Sequence, residues 1–162
     1  MYLIENPASL GSYWGVYGAM HYDNGKLYVG YSNQGDYGGY AVYDTLDPNI
    51  DDEYEVVKPL WITGEKDQSY YGSGAVTIKD MVVIGGDGGI VSVRNAKSGE
   101  ELSKLQLSGK IRCSLVYADG YIWTTTQNKK IYKLLLSESG KITVAEEADL
   151  PNNSCLLYTS PS

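Results

Sequence analysis

The stretch Ser73–Leu107, SGAVTIKDMVVIGGDGGIVSVRNAKSGEELSKLQL, decides the fold. It holds four short β-type runs, Ala75–Lys79, Met81–Gly85, Ile90–Arg94 and Glu101–Leu107. Turn signals part them: Lys79-Asp80, then Gly86-Asp87-Gly88-Gly89, then Asn95 through Gly99. Strands of about five residues joined by tight turns form an antiparallel meander. One such sheet cannot bury both of its faces, so the chain must repeat it.

It does so on either side. An upstream unit has strand signals near Tyr17–Tyr22, Lys26–Ser32, Gly39–Asp44 and Tyr54–Thr63. A downstream unit has them near Ile111–Ala118, Tyr121–Thr126, Lys130–Leu136 and Lys141–Ala148. Small residues begin the three units at Ala19, Ala75 and Ser114, as a crowded innermost strand requires. Asp23-Asn24-Gly25 and Asp119-Gly120 recur between first and second strands, where a tight hairpin needs positive φ. The link Ser12-Tyr13-Trp14-Gly15 is matched by Ser69-Tyr70-Tyr71-Gly72. Four-stranded units repeating every 40–50 residues or so are the mark of a β-propeller. The expected fold is therefore all-β: a partial propeller of three four-stranded antiparallel blades, near 16–63, 73–107 and 111–149, plus one outer strand of a fourth.

Composition narrows the function. A net charge of -7 offers no basic surface to nucleic acid or anionic lipid. No apolar run is long enough to cross a bilayer as a helix. Sixteen Tyr, 19 Gly and no Phe suit half-buried strands and turn-rich connections. The last eight residues, Cys155–Ser162, resemble a translated sequencing-library adapter, so fold reasoning is confined to 1–154. On that reading the chain is a piece of a longer protein; Met1–Glu5 reads as a strand without a charged n-region or signal-peptide core, which leaves open whether Met1 is the true start or an internal one.

The segment Ile90–Leu102, IVSVRNAKSGEEL, with the preceding GGDGG, the ADGYIW at 118–123 and the DNGKLYVG at 23–30, resembles the pyrroloquinoline-quinone-like propeller repeat. The resemblance runs from Val16 to about Asp149. It departs at the repeat's closing Trp, replaced by Ser103 in the second unit and absent from the third, with Trp61 standing for it in the first. It implies a quinoprotein-like module that binds no quinone and needs no cofactor. Such a module serves binding or scaffolding in a bacterial exported, cell-surface or periplasmic protein. A fragment of a quinone-dependent alcohol or sugar dehydrogenase, and a purely structural spacer, are the alternatives.

Candidate chemistry is sparse. His21, the single histidine, sits mid-strand between Met20 and Tyr22 with no catalytic constellation visible around it and reads as a packing residue. Cys113 reads as a buried, inert thiol. The acidic loop Asp47, Asp51, Asp52, Glu53 and Glu55 lacks calcium-loop order and reads as a solvated surface. Gly85–Gly89 joins two strands, so it has no helix N-terminus to cradle phosphate. What remains is geometric. Inter-blade links and second-to-third-strand loops share one face of a propeller, which gathers Tyr13, Trp14, Tyr70, Tyr71, Lys110 and Arg112 with Asn33, Asp36, Asp87, Gln127 and Asn128. Aromatic planes beside amides and charges are what a carbohydrate or a protein or peptide ligand requires. The competing role for these rings is to wedge between blades.

Overall fold

Whether a strand is apolar on one face or on both tells where its sheet lies among its neighbours. The computed structural model describes residues 3–4, 15–16, 18–33, 37–51, 56–66 and 68–151. Its strands are β1 (Leu3–Ile4), β2 (His21–Asp23), β3 (Lys26–Asn33), β4 (Tyr37–Asp44), β5 (Asn49–Asp51), β6 (Val56–Lys58), β7 (Trp61–Lys66), β8 (Val76–Ile78), β9 (Met81–Gly85), β10 (Ile90–Asn95), β11 (Glu101–Gln106), β12 (Val116–Ala118), β13 (Tyr121–Thr126), β14 (Lys130–Leu136) and β15 (Ile142–Asp149). No helix occurs among the described residues, so none there is long and apolar enough to cross a membrane.

Three four-stranded sheets form in chain order, β2-β3-β4-β7, β8-β9-β10-β11 and β12-β13-β14-β15, each antiparallel throughout. These are blades 1, 2 and 3, and the fold is a partial β-propeller. The innermost strands are only three residues long. Just ahead of them the small residues meet: a Cβ on Gly74 would lie 2.8 Å from Ser114 Oγ and 3.3 Å from the Ala19 Cβ. A larger side chain has no room there.

Blade 1 is longer than the others because a hairpin is inserted before its last strand. The run expected as one strand, Tyr54–Thr63, divides into β6 and β7 around Pro59, which has no N–H for a ladder. β6 pairs with β5, and the N-terminal β1 joins β6 in parallel, Leu3 opposite Val56 and Ile4 opposite Val57. Val57 packs against Val29, Tyr31, Ala41 and Tyr43, covering the face of blade 1 that points away from blade 2.

Blade 2 is sandwiched. Every residue of β9 is buried because its alternate side chains serve different neighbours. Val82 and Ile84 meet Tyr28, Tyr40, Val42 and Trp61 of blade 1. Val83, Val91 and Val93 meet Ile122, Tyr132 and Leu134 of blade 3. Each fully buried aliphatic side chain contributes about 1.5–3 kcal/mol of transfer free energy. In blade 3, β13 alternates instead, with Ile122, Thr124 and Thr126 buried and the intervening residues half-exposed. On that second face Lys133 Nζ lies 4.3 Å from the Tyr121 ring centre and 5.6 Å from that of Trp123.

Candidate binding site

The β9–β10 turn is built to hold one carboxylate at the seam of two blades. A Cβ on Gly86 would come within 2.7 Å of the Gln68 amide, and Gly89 has a φ of +76°, so glycine is required at both positions. Gln68 is fully buried; its Nε2 donates to the Ile90 carbonyl at 2.9 Å and its Oε1 accepts from the Gly88 amide at 2.9 Å. The Asp87 amide donates to the Ser69 carbonyl at 2.7 Å, tying the turn to the link that enters blade 2. The Ile111 amide donates to the Gly86 carbonyl at 3.1 Å, tying it to the link that leaves.

Arg112 follows on that outgoing link. Its Nε lies 3.1 and 3.0 Å from the two Asp87 carboxylate oxygens, and its terminal nitrogen 2.6 Å from Oδ2. Asp87's side chain is 3% exposed and that of Arg112 is 34% exposed, so the pair is a buried anion under a half-open cation. Lys110 Nζ stands 3.8 Å from the same oxygen, with half its side chain in solvent. The Arg112 guanidinium carbon sits 5.2 Å from the centre of the Tyr71 ring, which is itself 44% exposed. A ring, a guanidinium held edge-on by a carboxylate, and an ammonium thus share one patch. Planar groups fixed in this way receive a ligand without first being ordered.

The structure divides the other candidates. Tyr70 points the opposite way from Tyr71: it is fully buried and meets Tyr40 edge-on, 5.3 Å between centres. Tyr70 is therefore an inter-blade wedge and offers no ring to solvent. The Gln127 backbone N–H donates to the Lys110 carbonyl at 2.9 Å, and Asn128 Nδ2 donates to Ser108 Oγ at 3.1 Å; both brace the next link. Tyr13, Trp14 and Asp36 lie outside the described residues, as does the Asn33 side chain.

His21 bridges blades 1 and 2. Thr77 donates its hydroxyl proton to Asp23 Oδ2 at 2.9 Å, so it accepts from His21 Nε2–H at 3.0 Å. Burial pushes the imidazole pKa below its ordinary value, and the nearby Asp23 charge opposes part of that shift. Cys113 is half-buried, its sulfur 3.3–3.4 Å from Thr124 and Thr125 groups. In the acidic loop, the Asp47 amide caps Asp44 Oδ1 at 2.9 Å, whereas Asp52 to Glu55 and the Asp51 side chain lie outside the described residues. No group of three or more His, Cys, Asp or Glu residues able to hold a metal occurs among the described residues. Sequence reasoning missed Gln68, which no motif marks, and the His21–Thr77–Asp23 bridge, which joins residues 54 positions apart or more.

The sequence matches no family model, and no curated protein matches it. Solved structures do match its shape. The computationally designed Ika8 protein superposes with a TM-score of 0.60 at 15% identity, over 84% of this chain and 37% of that one. BamB from Moraxella catarrhalis gives 0.59 at 13% identity, over 83% and 37%. A chain of the mitotic checkpoint complex gives 0.65 at 14% identity, over 85% and 40%. These likenesses bear out the propeller fold. The chain spans about two-fifths or less of the length of each of these neighbours.

Proposed function

We propose that the chain is a non-catalytic binding or scaffolding module, and that it engages a protein or peptide through the patch of Tyr71, Lys110, Arg112 and Asp87. The observation that carries this reading is the Arg112 guanidinium, oriented by a buried carboxylate and lying over an exposed tyrosine ring. Such a surface accepts an apolar or planar side chain on the ring and an acceptor group beside the cations. Propeller likeness supports a scaffold role, and one neighbour belongs to a multi-protein complex. The repeat resemblance supports reading the module as part of a bacterial exported or cell-surface protein.

Panning the immobilised full chain against a random peptide display library, with a glycan array alongside, tests the reading. Peptide ligands are expected, and Tyr71→Ala should weaken them by about 1–3 kcal/mol, as for anchor residues. Enrichment of glycans alone, or peptide binding indifferent to Tyr71 and Lys110 substitutions, overturns it. Quinone-dependent dye reduction would instead mark a dehydrogenase.

A further inference from the structure

The edge of the blades opposite Asp87 carries the first-to-second and third-to-fourth strand turns, and here two equivalent seams differ. Asn24, Lys79 and Asp119 occupy the same position of the first turn in blades 1, 2 and 3, with φ of 45°, 54° and 52°. Gly99 and Gly140 occupy the same position of the other turn in blades 2 and 3, with φ of 75° and 84°. Two residues before them stand Lys97 and Glu138. At the seam of blades 2 and 3, Lys79 Nζ pairs with Glu138 Oε1 at 3.1 Å on the exposed edge. At the seam of blades 1 and 2 the corresponding residues are Asn24 and Lys97, an amide and an ammonium, and no ion pair joins them among the described residues.

A cavity of about 410 Å³ opens at that seam. This is within the size range of small-molecule sites. Its lining includes Leu60, Ala96 and the buried Tyr28, with Lys97, Asn24 and Asp80 among its polar groups. Burial and the Asp23 charge push the Tyr28 hydroxyl up to about 12, so it stays a neutral phenol. The other charged groups of the lining are engaged elsewhere: Lys79 pairs with Glu138, and the Lys26 charge acts on Asp44. Asp23 accepts the Thr77 hydroxyl, and Asp44 accepts the amides of Leu46 and Asp47. Among the described residues, neither the Lys97 ammonium nor the Asp80 carboxylate has a side-chain partner. A carboxylate and an ammonium without side-chain partners, set beside Leu60, Ala96 and Tyr28, are complementary to a molecule that carries both charges and an apolar body.

We propose that the seam cavity between blades 1 and 2 binds a small zwitterion of the apolar amino-acid class. Its carboxylate lies on Lys97 and Asn24, its ammonium on Asp80, and its side chain on Leu60, Ala96 and the Tyr28 ring. The ligand completes at this seam the charge pairing that Lys79 and Glu138 complete at the next. The site is distinct from the Tyr71–Arg112 patch and does not depend on it.

Amide-resolved NMR titration of the full chain with leucine, N-acetyl-leucine and leucinamide tests the proposal. Leucine should shift the amides of Asn24, Asp80, Ala96 and Lys97, and each singly charged analogue should bind about tenfold more weakly, as loss of one charged hydrogen bond implies. Lys97→Gln and Asp80→Asn should each weaken leucine about tenfold while leaving the rest of the spectrum in place. Asn24→Asp, tolerated at positive φ, should place a carboxylate opposite Lys97 and abolish binding. No leucine response at tens of millimolar, equal response to the three compounds, or indifference to both charge substitutions overturns the proposal.

Discussion

Trp61 is keyed into the turn of the next blade: its Nε1–H donates to the Ala96 carbonyl at 3.0 Å, and its ring lies where a Gly99 side chain would be, 2.6 Å from the position of a Cβ. The last strand of blade 1 thereby grips the third-to-fourth-strand turn of blade 2. One blade further on, Ser103 Oγ donates to the Gly140 carbonyl at 2.6 Å, and a Cβ on Gly140 would lie 2.8 Å from Leu102. The tryptophan is replaced there by a hydroxyl and a leucine that divide its two tasks.

That contact predicts that a change on either side of it is costly. Trp61→Ala should destabilise the fold by about 3–5 kcal/mol, the usual cost of deleting a buried aromatic ring. Gly99→Ala is hindered twice over, by φ of 75° and by the indole, and should also be strongly destabilising. Urea unfolding of both variants checks this; a neutral Gly99→Ala would mean that the ring moves freely.

The Asp87–Arg112 pair should behave as a buried ion pair. Arg112→Gln strands a carboxylate that is 3% exposed and should cost about 3–5 kcal/mol. Adding Asp87→Asn should recover most of that loss, because the uncompensated charge is removed. Lys110→Gln, half-exposed at 3.8 Å, should change stability by less than about 1 kcal/mol. A double-mutant cycle in urea measures all three.

Neighbouring tyrosines should separate stability from binding. Tyr70→Ala empties an inter-blade position and should lower stability by about 3–5 kcal/mol. Tyr71→Ala should stay within about 0.5 kcal/mol of the parent in stability, as for exposed sites, and should lose peptide binding. Equal melting of the two variants would contradict the opposite orientations of the rings.

His21 gives the fold a pH dependence of defined sign. Its folded-state pKa lies below the ordinary 6.5, so the unfolded chain takes up the proton first as pH falls. Stability from this group is complete above about pH 6.5 and declines as pH drops through and below that value. His21→Asn should flatten that part of the profile. An unchanged slope between about pH 7 and 5 would assign it to carboxylates instead.

Much of this architecture was legible in the chain. Period-two patterning and Gly-containing turns are local properties, so the strands at Met81–Gly85, Tyr121–Thr126 and Lys130–Leu136 were read correctly from residues alone. Pro59 was the visible cause of the one division that was missed, and the acidic stretch before it hid a hairpin. The candidate patch was half legible. The loop face collected Asp87, Lys110, Arg112 and Tyr71, since blade topology brings links and second-to-third-strand loops to one end.

Repetition and turn chemistry by themselves determined the blades, their order and the end of the sheet on which Asp87 must lie. Only the tertiary structure decided which way each side chain turns at a seam. Tyr70 and Tyr71 are adjacent and chemically identical, yet one is sealed against Tyr40 and the other lies under Arg112. Ser-Tyr-Tyr-Gly contains no instruction to tell them apart. The difference arises from packing between blades, where the sequence separations are long and the contact partners are set by how one twisted sheet seats on the next.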